Sequence, residues 1–111
     1  MTEEKKCVFD FNAEELIQLK DMTLKTVEEK YFNLLAKERD LKNTENRLWL
    51  KTDFKDKGLT NDSLRRAFVS DNTSELRFKV DTAKYELKQQ ENNLIIINDL
   101  LSLRMQEVKP K

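Results

Sequence analysis

Histidine is absent from this chain, and cysteine, glycine and proline occur once each, as Cys7, Gly58 and Pro110. Without histidine there is no side chain that titrates near neutral pH by default, and the commonest nitrogen ligand for zinc or copper is missing. One glycine is too few for a phosphate-cradling loop. One cysteine makes no internal disulfide and fits a reducing compartment, so Cys7 reads as a small apolar residue. Net charge is lacking too: 21 Lys and Arg balance 21 Asp and Glu, and no whole-molecule field recruits nucleic acid or anionic lipid. The longest apolar run, Leu94-Ile95-Ile96-Ile97, is far short of the roughly 18–20 residues that span a bilayer, so no membrane association is expected. The polar start, Met1 to Lys6, leads into only Cys7-Val8-Phe9 before Asp10. That is too little for the apolar region of a signal peptide, and a cytoplasmic protein is expected.

What remains is charge and heptad spacing. The 111 residues suit one domain, and 38% charged against 38% hydrophobic residues suits long exposed helices better than a thick core. The carboxylates at Glu14-Glu15, Glu28-Glu29 and Glu38 with Asp40 fall at helical surface spacing. Asp53 with Asp56, and Asp71 with Glu75, lack a third convergent acid for magnesium, and no Ser-x-x-Lys occurs. The expectation is a non-enzymatic protein with no catalytic residues, cofactor or metal.

Residues 1–11 read as an N-terminal arm in which Cys7-Val8-Phe9-Asp10-Phe11 alternates, as either a short strand or an extended segment lying on a helix. Asn12-Ala13-Glu14-Glu15 is a capping box that starts a first helix over 12–53. Apolar positions then recur in steps of four and three: Ala13, Ile17, Leu24, Val27, Tyr31, Leu34, Leu41 and Leu48, with Lys20, Glu38, Glu45 and Thr52 interrupting the seam. The only glycine sits in the segment 54–61, which predicts the turn. Thr60 or Asn61 caps a second helix over 62–107, and the helix-poor run Val69 to Ser74 predicts a break near 70–74. Its stripe is Leu76, Val80, Ala83, Leu87, Gln90, Leu94, Ile97, Leu101 and, less regularly, Met105.

In an antiparallel hairpin the numbers of opposed residues total a constant. Leu41 with Leu76, Leu34 with Ala83, Val27 with Gln90 and Lys20 with Ile97 total 117, while Tyr31 with Leu87, Leu24 with Leu94 and Ile17 with Leu101 total 118, and the midpoint falls in the turn at Gly58-Leu59. The fold expected is therefore all-α, a long antiparallel two-helix coiled-coil hairpin, each helix about 60 Å at 1.5 Å per residue. A second apolar set, Leu16, Leu19 and Leu35 with Ile95, Ile96, Leu100 and Leu103, exceeds what one seam needs. Either Val8, Phe9 and Phe11 fold back over it, or two hairpins pair through it as a dimer; the dimer is preferred because two long helices bury little apolar area by themselves.

One compositional anomaly marks the hairpin tip. Trp49, Lys51, Phe54, Lys55, Lys57, Arg65, Arg66 and Phe68 lie within twenty residues, while Asp53, Asp56 and Asp62 reduce five positive charges to a balance of two. Lys51, Lys55, Lys57, Arg65 and Arg66 are candidate phosphate contacts for a nucleic acid. Trp49, Phe54, Arg65, Arg66 and Phe68 are candidate contacts for a protein partner, and plain closure of the hairpin end is the third reading.

The segments Leu48 to Lys55 and Gly58 to Val69, with a Thr60-Asn61 turn before the Arg-rich start of the second helix, resemble the turn region of small phage and prophage helical-hairpin proteins. The resemblance covers about a fifth of the chain and implies an accessory or host-interaction protein that acts by binding. Prefoldin subunits also pair long antiparallel helices, but they insert β-hairpins for which this turn has no room.

Overall fold

Asn12 and Glu15 close the capping box reciprocally. The Glu15 N–H donates to Asn12 Oδ1 at 2.9 Å and the Asn12 N–H to Glu15 Oε1 at 3.2 Å. Two of the donors that a helix start leaves unpaired are thereby satisfied. Helix α1 follows as Ala13–Lys51, then α2 as Asp62–Asn72 and α3 as Ser74–Val108. This computed structural model describes residues 7–108, and among them there is no strand. The chain is all-α, and no described helix is long and apolar enough to cross a membrane.

The alternating Cys7–Phe11 segment forms neither a strand nor an extended arm. Val8–Asp10 is a single 3-10 turn, closed by Asp10 N–H to the Cys7 carbonyl at 2.9 Å and Phe11 N–H to that of Val8 at 3.2 Å. Five alternating residues have no neighbouring strand to pair with, so the backbone satisfies itself locally.

The expected second helix is interrupted at Thr73, inside the run where a break was expected. Thr73 is completely buried, with φ −117° and ψ 8°, and its hydroxyl donates to the Val69 carbonyl at 2.7 Å. Neighbouring side chains take the adjacent carbonyls: Asn72 Nδ2 donates to Phe68, and Ser74 Oγ to Asp71. The Arg77 guanidinium serves the Ser70 carbonyl and Thr73 Oγ1. Short polar side chains thus end α2 by offering its last carbonyls an alternative to the helical ladder.

By packing, the chain forms two compact units, Met1–Glu29 with Leu87–Lys111 and Lys30–Glu86. In the first, Leu16, Thr23 and Ile97 are buried. Val8, Leu19 and Thr23 share one small cavity with Asn93, Ile96 and Ile97 of α3. The Phe9–Phe11 segment is held there by α3: Arg104 Nε donates to the Phe11 carbonyl at 3.1 Å, its Nη2 to that of Phe9, and its Nη1 lies 3.2 Å from Glu107. Val8 and Phe11 are half-buried, whereas Phe9 is exposed.

In the second unit Leu34, Val69, Thr73, Val80 and Ala83 are buried. Lys30 Nζ meets Glu86 at 3.2 Å, and Leu41 shares a cavity wall with Val80. Residue numbers rise along α1 while they fall along α3, so the two run antiparallel here. The Lys30–Glu86 pair is more than a third exposed and stabilises by well under 1 kcal/mol.

One half of the expected α1 seam is displaced by one residue. Ala13, Lys20, Val27, Leu34, Leu41 and Leu48 are buried or half-buried as expected, but Ile17, Leu24 and Tyr31 are 49%, 43% and 48% exposed. Leu16, Thr23 and Lys30 are the more buried neighbours. A four-three repeat has two flanks, and choosing the more apolar one selected Ile17, Leu24 and Tyr31. The structure uses the other flank, where Thr23 offers a methyl group and Lys30 lays its stem along the seam with its charge at Glu86. On α3 the stripe from Leu76 to Leu101 is buried or half-buried throughout; at its end Met105 is exposed and Arg104 takes the inward place.

Candidate functional site

Among the described residues the tip of the second unit gathers the densest set of rings and cations. Its frame is the connection from α1 to α2. Thr52 N–H extends the last turn of α1 to the Leu48 carbonyl at 3.2 Å, and Asp53 Oδ1 accepts from the Asp56 N–H at 3.1 Å. The Gly58 N–H donates to the Lys55 carbonyl at 3.1 Å and the Leu59 N–H to that of Phe54 at 2.9 Å. Gly58 has φ 73°, a left-handed conformation that side chains with a Cβ disfavour, although a Cβ built there meets no atom within 4 Å. Gly58→Ala is therefore expected to cost about 1–2 kcal/mol from backbone strain alone. Urea titration checks it, with Gly58→Asn expected to cost less because Asn tolerates that region better. Of the two cap candidates it is Asn61 that begins α2, its side chain accepting from the Leu64 N–H at 2.9 Å.

On this frame the rings stack in series. The Trp49 and Phe54 centroids are 5.5 Å apart, and Phe54 meets Phe68 edge-on at 6.1 Å with perpendicular planes. Pairs of this geometry contribute about 0.5–1.5 kcal/mol each beyond area burial. Two cations cover the rings: Arg65 Cζ lies 5.5 Å from the Phe54 centroid and Lys57 Nζ 5.4 Å from that of Phe68. Arg65 is anchored further by Nε, which donates to the Leu59 carbonyl at 3.0 Å.

Four of the five protein-contact candidates, Trp49, Phe54, Arg65 and Phe68, are therefore brought together. The five candidates divide by exposure: Phe54, Phe68 and Arg65 are half-buried and brace one another, while Trp49 and Arg66 are exposed. Of the phosphate candidates, Lys51, Lys55, Lys57 and Arg66 are exposed, Lys57 with its Nζ over the Phe68 ring, and Arg65 is half-buried against Phe54. Sequence reading missed the Leu59 carbonyl as the anchor of Arg65, because no side-chain pattern announces which backbone oxygen a turn leaves open.

The residues of the candidate oligomer face differ in burial. Leu16 is fully buried within the first unit and is removed from it, because it occupies the inward flank of the seam. Leu19 and Leu100 are half-buried, and Leu19 and Ile96 border the cavity that Val8 also lines. Ile95, Ile96 and Leu103 of the first unit, and Leu35 of the second, are exposed. No family model, curated protein or solved structure matches the chain.

Proposed function

We propose that this chain is a non-enzymatic protein–protein interaction module whose tip binds another protein, and that it self-associates. The observation that carries the reading is the division of labour at the tip. Phe54, Phe68 and Arg65 form a braced platform, the exposed Trp49 packs on its Phe54 ring, and Arg66, the neighbour of Arg65 in the chain, is exposed. Trp and Arg are the residue types most enriched at the centres of protein interfaces, and a preformed platform lowers the ordering cost of binding. The turn-region resemblance supports a phage or prophage accessory protein that acts on a host component. A cytoplasmic setting, without catalytic groups, metal or cofactor, belongs to the same proposal.

Nucleic-acid binding is the rival, and the geometry favours it less. Two of its five cations, Lys57 and Arg65, lie on phenyl rings, and Asp53, Asp56 and Asp62 interleave with the rest. The test places a photo-crosslinking amino acid at position 49 in cells producing the full chain. A discrete protein adduct is expected, reduced at least tenfold by Arg66→Ala. Salt-sensitive binding of labelled single- or double-stranded oligonucleotides by the purified chain, with no protein adduct, would replace the proposal by its rival. Full biological activity of Trp49→Ala and Arg66→Ala chains, together with its loss on polar substitution at Ile96 and Leu100, would instead identify a purely oligomerising scaffold.

A further inference from the structure

In the second unit α1 keeps one face to solvent over residues 32–49. Phe32, Leu35, Arg39, Lys42, Asn46 and Trp49 follow one another in alternating steps of three and four, and all six are exposed. Tyr31 and Leu50 flank the two ends, and Leu50 is 85% exposed. At about 100° per residue the row and its flanks fill an arc of about 100°. Glu38, Asp40 and Glu45, the acids of residues 31–50, all fall outside it. Singly scattered apolar residues on a surface call for no explanation, but an acid-free row at seam spacing does.

Its chemistry runs apolar, cationic, apolar. The two ends are ordered in advance: Tyr31 and Phe32 meet edge-on with centroids 5.9 Å apart, and Trp49 rests on Phe54 at 5.5 Å. Phe32 and Trp49 are 17 residues apart, about 25 Å along the helix. In the middle Arg39 and Lys42 border a cavity of about 430 Å³ with Leu41 and, from α3, Val80 and Lys84; Glu38 and Glu45 line it too. The middle of the row therefore opens on a groove where three cations face two carboxylates. Among the described residues neither Arg39 nor Lys42 is in a hydrogen bond or an ion pair.

Charge selects the occupant. A second copy laid antiparallel on the row, centred between Asp40 and Leu41, sets Phe32 opposite Trp49 but Arg39 opposite Lys42, and a parallel copy sets each cation on itself. Either arrangement brings four cations together, so the row suits a partner with carboxylates at that level. A helix lying on a membrane keeps its apolar face continuous and its cations on the polar face, whereas here the cations interrupt the apolar row. We infer that this face of α1 is the docking site for an amphipathic helix of another protein, apolar at two points about 25 Å apart and acidic between them. The inference rests on the protein-binding reading of the tip, which it extends from Trp49 back along α1, and it takes Leu35 out of the candidate oligomer face.

A pair of synthetic peptides tests it on the full-length chain. Each is an alanine-based helix of about 22 residues with leucine pairs about 17 residues apart; one carries glutamates between them on the same face, its twin lysines. Trp49, the only tryptophan, reports binding by its emission. The glutamate peptide is expected to move that emission to shorter wavelength and to bind at least tenfold more tightly than its twin. Arg39→Glu with Lys42→Glu in the same chain is expected to reverse the order with unchanged helix content. Equal binding of the twins, binding of neither, or an order that the double variant does not reverse overturns the inference. Vesicles containing phosphatidylserine that shift the emission when the glutamate peptide does not would assign the face to a membrane instead. A photo-crosslinking amino acid at position 35, in the cells used for position 49, separates this face from the tip. The same adduct is expected from both positions, and its loss from position 35 in the double variant. An adduct at 49 with none at 35 overturns the face and leaves the tip reading standing, whereas no adduct at either position overturns both.

Discussion

Leu16→Ala is expected to destabilise the chain by about 2–4 kcal/mol, whereas Ile17→Ala, one residue along and equal in volume lost, is expected to cost about 1 kcal/mol or less. Leu16 is fully buried and Ile17 is half exposed. Truncating Leu16 removes buried methyl groups and leaves a cavity that two long helices, pinned by their own backbone hydrogen bonds, close only in part. Truncating Ile17 removes atoms that already face water. Urea denaturation of the two variants measures both, read as midpoint shifts at constant m-value. Equal costs, or a larger cost at Ile17, would return the seam to the flank that apolar spacing first selected.

Phe54→Ala is expected to cost about 2–3 kcal/mol, a large effect for a half-buried residue of a connecting segment. Its ring is the middle member of the Trp49–Phe54–Phe68 series and the seat of the Arg65 guanidinium, so one truncation removes two ring contacts and a cation–π contact. Trp49 is the only tryptophan, and its fluorescence reports on this place alone. Phe54→Ala is expected to shift the native emission to longer wavelength as water reaches the indole, and to weaken partner binding with stability. Leu16→Ala is expected to leave the native emission unchanged. An unshifted emission together with a cost below about 0.5 kcal/mol, the range of ordinary surface substitutions, would mean that the platform is not assembled in solution.

Several features were legible because they depend on neighbours in the chain. Asn12 and Glu15 cap each other across three residues, Asn61 caps α2 in the same way, and Gly58 adopts the one conformation that a lone glycine in a turn suggests. The break at Thr73 was readable for the same reason, since Asn72, Thr73 and Ser74 compete for carbonyls three or four residues behind them. The α3 stripe was legible because its four-three spacing holds without a charged residue from Leu76 to Leu101. The tip was legible as composition, but not as geometry: nothing local assigns Arg65 to Phe54 and the Leu59 carbonyl while leaving Arg66 outside.

Sequence by itself determined helix, cap, turn and period, because each follows from backbone sterics and from hydrogen bonds spanning three or four residues. Only tertiary structure decided phase and exposure. Ile17, Leu24 and Tyr31 make a better apolar row than Leu16, Thr23 and Lys30, yet the latter row is the more buried. The physical reason is that burial belongs to a pair of surfaces. In the second unit Ala83 and Val80 are buried and Glu86 lies within reach of Lys30, partners of which one helix's own periodicity carries no record.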